Sequence, residues 1–344
     1  MLSLIGFIIV LGVIVFIHEF GHYYAAIRCG VKVETFSIGF GKKLWSRIDS
    51  KGTEWQVCAV PFGGFIKMEG DRSSNVSSRH PSSFQKQNLA KRLIIVAAGP
   101  LANFLLAITI LAGFYYQNGV KAEPAIISEV IAESPAGAAK LQMGDKILKV
   151  DGIDISNFSE FRQIIASHPD QSLTLLLQRG EDIVSLKITP QLSKEQTGFI
   201  GVKASTIATR TELGILASIS LATHDVLRTS HIILKALGQI VTGTRSMDQI
   251  GGALSIAKES GKSMEEGSAS LLLFIAFISI NIGLMNLIPL PLLDGGYILL
   301  MLFEAAIARR ISEKVERIYY KLGLGSLIFL VVISTSNDIK SLLL

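Results

Sequence analysis

Four stretches of the chain carry no charged residue: 1–17, 93–119, 267–293 and 322–337. Apolar residues run through them almost without a break, and none keeps the polar face of a soluble surface helix. About 20 such residues cross the hydrocarbon core as a helix, so each stretch predicts a membrane span. The last is short, and its helix is expected to borrow flanking residues or to sit in thinned lipid. Other patterns fill the intervals. Residues 36–66 look β-like, with glycines at 39, 41, 52, 63 and 64, and Ser73 to Ser83 is a polar loop. Residues 123–191 alternate short β-like runs such as AIISEV and SLTLLLQR with turn signals at Ser134-Pro135, Gly144-Asp145, Asp151-Gly152 and Arg179-Gly180. Ser159 to His168 reads as one short helix between them, which makes a small α+β module. In 211–243 the positions Leu213, Leu216, Ile219, Ser220, Thr223 and Leu227 recur at helical spacing. They predict an amphipathic helix lying on the membrane.

Composition agrees: 49% of the 344 residues are hydrophobic and 18% charged, which excludes a wholly soluble or a disordered chain. Charge position then sets the topology. No Lys or Arg precedes the first span, whereas 28–92 holds twelve against five acids. By the positive-inside rule that segment is cytoplasmic and the N-terminus lies outside. Parity puts 118–266 outside, 294–321 inside and the C-terminus outside. Segment 294–321 agrees independently, with five basic residues against four acidic. The net charge of +5 is explained by this distribution and calls for no nucleic-acid partner. The first run has no basic n-region and is followed by His-Glu rather than a cleavage site, so it reads as a retained span. Cys29 and Cys58 share one inter-span segment and read as free thiols in a reducing compartment.

Chemistry enters inside the first span. His18-Glu19-Phe20-Gly21-His22 reads H-E-x-x-H. On a helix, positions i and i+4 share a face, so both imidazoles reach one zinc ion. Glu19, beside the first, can take a proton from the attacking water. An ionisable group within a span costs about 2.5–3.5 kcal/mol on insertion scales, so such groups mark a functional interior. A polar cluster that merely holds helices together would not require this spacing. A catalytic zinc takes three protein ligands and keeps one position open. The candidate third is Asp294, in Asn286-Leu-Ile-Pro289-Leu-Pro291-Leu-Leu-Asp294-Gly295-Gly296. His18 and His22 come late in an inward-running span, and Asp294 ends another, so all three reach the cytoplasmic leaflet. Asp294 also suits a helix cap before Gly-Gly; the shared depth favours a ligand. Pro289 and Pro291 prevent regular helix, which is tolerated at that depth where backbone lines a polar cavity. Asn103 suits a hydrogen bond between spans or a substrate contact equally well. His224 and His231 share a face of the external helix without a carboxylate at ligand spacing and read as surface residues. His80 and His168 flank prolines and read as loop residues.

HEFGH in the first span, Gly99-Pro100-Leu101-Ala102-Asn103 in the second and NLIPLPLLDGG at the third together resemble the site-2 protease family. Their setting resembles its regulator of sigma-E protease branch. The resemblance implies that His18, His22 and Asp294 bind zinc, that Glu19 is the catalytic base, and that Asn286 supports the site or holds substrate. It also implies that 36–66 is a membrane re-entrant β-loop and that 123–191, through SPAGAAKLQMGDKILKVDG, is a PDZ domain. This chain departs from that branch in having room for one PDZ domain where two are common. It has Tyr297 where many members place His after Asp-Gly-Gly, and Gly251-Gly252-Ala253 where Gly-Gly-Pro is commoner.

The expected fold is therefore a polytopic α-helical membrane protein, four transmembrane helices with a membrane-associated β-loop and an inserted α+β PDZ-like domain. Its expected parts are 1–120 with the HExxH and β-loop, 121–193 PDZ-like, 194–266 a membrane-surface helical region, and 267–344 with the third ligand. The expected activity is that of an intramembrane endopeptidase holding one Zn2+ per chain. It would cut single-span membrane proteins near the cytoplasmic leaflet of a bacterial inner membrane, downstream of an upstream protease where one acts first. Gly63, Gly64, Asn103, Asn286, Pro289 and Pro291 are the expected substrate-binding or supporting residues. A non-catalytic scaffold binding partners through the PDZ-like domain is the alternative, opposed by the intact HExxH and Asp294. A zinc transporter would need a polar path, and spans two and four have no carboxylate or histidine in their uncharged cores.

Overall fold

The first uncharged run forms α1 (Leu2–Arg28), which continues past its apolar part through His18 and His22. The computed structural model describes residues 2–70, 81–122, 124–155, 157–192, 197–205, 209–244, 251–309 and 311–343. His80 and the part of the polar loop before it lie outside the described residues. Among those residues, Leu2–Arg28, Leu89–Asn118, Ser268–Leu287 and Lys314–Lys340 are long and apolar enough to cross a membrane. The short fourth run does borrow its flanks, as expected.

After α1 come β1 (Val33–Ile48) and β2 (Glu54–Met68), which pair as four runs rather than two. Run 43–48 pairs with 54–58, which also pairs with 35–38, which pairs on its other side with 64–68. Runs 43–48 and 64–68 are thus the two edges. Positive φ at Gly39 (86°) and Gly41 (87°) lets the chain turn back where a side chain would be strained. Aromatic contacts seat the sheet on α1. Phe36 stacks on Trp55 with centroids 4.3 Å apart, and Tyr23 and Phe16 meet Phe36 edge-on at 5.9 and 5.8 Å. At the 49–53 turn, Asp49 accepts hydrogen bonds from Trp55 Nε1 (2.9 Å), Lys51 N (2.8 Å) and Thr53 N (3.0 Å). The second span, α2 (Leu89–Asn118), carries Pro100 in its interior, which removes one backbone donor.

Residues Tyr115–Gly214 form a separate compact unit. Its elements are β3 (Val120–Ala122), β4 (Ile127–Val130), α3 (Pro135–Ala138), β5 (Lys146–Val150), β6 (Ile153–Asp154) and α4 (Phe158–Ser167). β7 (Leu173–Arg179), β8 (Asp182–Ile188), β9 (Gln191–Leu192), β10 (Gly198–Phe199), β11 (Val202–Ala204) and β12 (Thr209–Thr211) follow. The main sheet runs β6-β5-β7-β8, and α4 lies close to the expected short helix, started by Asn157, whose Oδ1 accepts from Glu160 N at 2.9 Å. Alternation along the strands buries Ile127, Ile147, Leu175 and Leu177 around Phe161. Arg179 forks onto the fully buried Asp145 with two 2.8 Å hydrogen bonds. The sequence placed the end of this unit at 193. The later strands correct that boundary: β11 pairs with β4 and β12 with β3, so the unit closes only at Gly214.

The other unit resumes with α5 (Ile215–Val241), followed by α6 (Ala253–Glu266), α7 (Ser268–Leu287), α8 (Asp294–Ala306) and α9 (Glu313–Leu343). α5 buries Ser218, Ala222 and Val226, and leaves Leu216, Ile219, Leu227 and Leu234 exposed, an outward apolar stripe suited to lipid. α6 lies against α1, backbone to backbone, because Gly6 faces Ser260 and Gly261 faces Ser3. The start of α6 is capped from a distance: Asp338 of α9 accepts from the Gly252 and Leu254 amides, each at 2.9 Å, and from Ser255.

Candidate metal centre

One turn of α1 separates His18 from His22 and puts both rings on one face. The third side chain arrives by a different route from the expected one. α7 stops at Leu287, residues 288–293 are not helical, and Asp294 is the first residue of the next helix. Pro289 and Pro291 supply no amide to continue α7, and Leu292 takes a positive φ of 75°. Gly295 and Gly296 let the chain fold back on itself: a Cβ would lie 2.2 Å from the Leu287 carbonyl oxygen and 2.0 Å from that of Leu290. This turn brings Asp294 Oδ2 to 3.2 Å from His18 Nε2 and 3.5 Å from His22 Nε2, with the two nitrogens 3.3 Å apart. Tetrahedral zinc with bonds of about 2.0–2.2 Å sets its ligands about 3.3–3.5 Å apart. Asp294 Oδ2 is buried and makes no hydrogen bond among the described residues. An Asp294 oxygen this close to both ring nitrogens, without hydrogen-bond geometry to either, is what a ligand facing a shared ion gives. The donor set therefore fits zinc. It is the one group of three such residues among those described.

The second span backs both imidazoles. His22 Nδ1 donates to the Ile95 carbonyl at 2.8 Å, which leaves Nε2 its lone pair. Gly99 makes room for that ring, since a Cβ there would lie 2.2 Å from Nε2. Asn103 is fully buried, with Nδ2 3.3 Å from His18 Nδ1, and its backbone oxygen accepts from Ser279 Oγ at 2.9 Å. The side chain thus lies between α2 and α1, within reach of His18.

Glu19 is buried beside the sheet. A Cβ on Gly64 would lie 2.9 Å from Glu19 Cγ and 2.7 Å from the Ser37 carbonyl oxygen, so edge run 64–68 passes directly against the carboxylate's stem. Gly63 has φ +94° and faces the Phe40 ring. Asn286 sits half-buried in the last turn of α7. Pro289 is exposed, and Pro291 is packed by α9, where a Cβ on Gly323 would lie 2.3 Å from it. Tyr297 stacks on Phe84 with centroids 6.1 Å apart. His224 is exposed, with Nδ1 3.7 Å from Asp225, and His168 Nδ1 lies 2.8 Å from the Ile164 carbonyl oxygen at the end of α4. Among the described residues, neither belongs to a metal-capable group.

The profile described as Peptidase family M50 matches residues 6–330. A provisionally named zinc metalloprotease of Rickettsia conorii is 42% identical, over 99% of this chain and 99% of that protein. The regulator of sigma-E protease of Salmonella typhimurium is 30% identical over 99% of each chain. That alignment spans 446 positions, more than this chain has, so part of the Salmonella protein has no counterpart here. Among solved structures, the PDZ domain of an SdrC-like protein from Listeria monocytogenes is similar at 22% identity and a TM-score of 0.23, covering 25% of this chain and 90% of that one.

Proposed function

Because the chain belongs to peptidase family M50 and is a zinc metalloprotease, we propose that it cuts single-span membrane proteins within the bilayer, near the cytoplasmic leaflet. The observation that carries this reading is the convergence of Asp294 on His18 and His22, which stand with Glu19 on a helix long and apolar enough to cross a membrane. One zinc per chain, when bound, polarises the scissile carbonyl and makes a nucleophile available at neutral pH. Glu19 takes the proton of the attacking water and passes it to the leaving amine. Its burial excludes competing bulk water from that transfer.

A helical substrate shields its own carbonyls, so the cleaved segment must be extended. Run 54–58 is paired on both sides and offers no free edge, whereas 64–68 is an edge, and Gly64 in it abuts Glu19. A substrate strand added along 64–68 therefore presents its backbone to the proton carrier. Charge parity supports a bacterial inner-membrane protein with both termini and the Tyr115–Gly214 unit outside. On that topology the external unit contributes no catalytic group, and it screens substrates by size, rejecting bulky external domains by clash.

The test is metal content and cleavage on the full-length protein. Wild type and Glu19→Gln are expected to hold one zinc per chain and Asp294→Ala none, while Glu19→Gln cuts no model single-span substrate. Full zinc occupancy in Asp294→Ala excludes that ligand. Near-normal turnover by Glu19→Gln excludes that base.

A further inference from the structure

Ile95, Gly99 and Asn103 follow one another at intervals of four on α2, matching the interval between His18 and His22 on α1. The two imidazoles are nevertheless held differently. His22 Nδ1 faces a backbone carbonyl, which only accepts, so the proton sits on Nδ1 and Nε2 is free to ligate. His18 Nδ1 faces an amide side chain, Asn103, which can either donate or accept. With Nδ2 donating to Nδ1, the His18 proton would have to sit on Nε2, the atom 3.2 Å from Asp294 and 3.3 Å from His22. That nitrogen could not then bind an ion. A half-turn of the amide exchanges its oxygen and nitrogen within the same volume, and Oδ1 then accepts from Nδ1–H. The far end of the amide does not decide between the two orientations, because Oδ1, buried there, has no hydrogen-bond partner among the described residues. His18 alone decides.

We infer that Asn103 is a positioning residue that presents Oδ1 to His18 Nδ1–H and so fixes the tautomer and ring plane in which Nε2 binds the metal. The rest of the packing holds the amide in place: Ser279 Oγ donates to its backbone oxygen at 2.9 Å, and a Cβ on Gly283 would lie 3.2 Å from Asn103 Cβ. This inference rests on the proposed function only in taking His18 as a ligand. Asn103 acts on metal affinity through that ring and touches neither substrate nor reacting atoms.

Zinc affinity of the full-length protein, measured by competition with a chromophoric chelator and without substrate, tests it. Asn103→Leu keeps the bulk and loses the acceptor, and its affinity is expected to fall about 10–100-fold, the usual loss when a ligand's outer partner is removed. Asn103→Asp keeps an acceptor and loses the donor, and is expected to bind at least as tightly as wild type. Wild-type affinity in Asn103→Leu, or an Asn103→Asp as weak as Asn103→Leu, overturns the assignment. If Asn103→Leu does not fold, Asn103→Asp decides alone: retained affinity upholds the acceptor role and lost affinity ends it. A wild-type protein that binds no zinc would sink the proposed function itself, a separate outcome from unchanged variants of a zinc-binding wild type.

Discussion

Replacing Gly99 by alanine measures how closely the second span must approach His22. The added carbon would lie 2.2, 2.5 and 2.8 Å from Nε2, Cε1 and Cδ2 of His22. Such atoms settle at about 3.5 Å, so ring and helix must part by roughly 1 Å. Metal–ligand distances tolerate only about 0.2 Å. The helix has little freedom to retreat, because it is also packed against α7, where a Cβ on Gly283 would lie 3.1 Å from the Pro100 carbonyl oxygen and Ser279 Oγ donates to the Asn103 carbonyl at 2.9 Å. Most of the displacement therefore falls on Nε2. We expect zinc affinity to drop at least about 100-fold, or about 2.7 kcal/mol. The assay is chelator competition on wild type, Gly99→Ala and Gly113→Ala in one detergent. Gly113 lies on the same helix with nothing within 4 Å of its Cβ position, so its variant should bind as wild type does. Wild-type affinity in Gly99→Ala would refute the reasoning, for the ring would then not be held where the geometry puts it.

A proline scanned through edge run 64–67 should slow cleavage of a model substrate while zinc stays bound, whereas a proline at Gln56, in the doubly paired run, should unfold the sheet; unchanged cleavage across the edge scan would defeat strand addition. Excising 120–211 should leave short-ectodomain substrates cut and admit longer ones, and loss of short-substrate cleavage with zinc retained would make the unit a recruiter instead. Partial burial pushes the Asp49 carboxyl up, but hydrogen bonds from Trp55, Thr53, Lys51 and Tyr23 outweigh it and hold the group below its ordinary range. Its stabilisation is therefore present above the ordinary carboxylate value of about 3.9 and is lost as pH falls through the lower folded value. Asp49→Asn should lower the melting temperature at pH 7 and match wild type in strong acid; an equal difference at both would remove the carboxylate as the cause.

The spans were legible because a lipid-facing helix has to be apolar along its length, and charge gaps report that directly. HExxH was legible because metal geometry constrains neighbours on one helix. Depth points to Asp294, although the pattern places it at the end of a span and the structure places it at the start of α8. What could not be read was contact between segments far apart in sequence. Gly99 looks like any small residue in a span until His22 is known to lie over it, and Gly64, expected near substrate, gives no sign that it lies against Glu19. The doubling of β1 and β2 into four runs depends on pairing partners, and alternation alone is equally compatible with a simple hairpin. Asp338 gave no signal at all, because its partners are backbone amides that carry no side-chain signature.

Both imidazoles and Glu19 stand in the first helix, and the carboxylate that joins them begins the eighth. Synthesis runs in the same direction. On the proposed mechanism a nascent chain therefore holds the proton carrier and two of the three ligands for most of its translation, yet no complete hydrolytic centre. On the same mechanism a product truncated anywhere before Asp294 is equally inert. Since other proteins' helices are being inserted into the same membrane at that moment, late completion keeps a half-made chain from cutting its neighbours. Element order, as much as geometry, decides when this protein becomes dangerous.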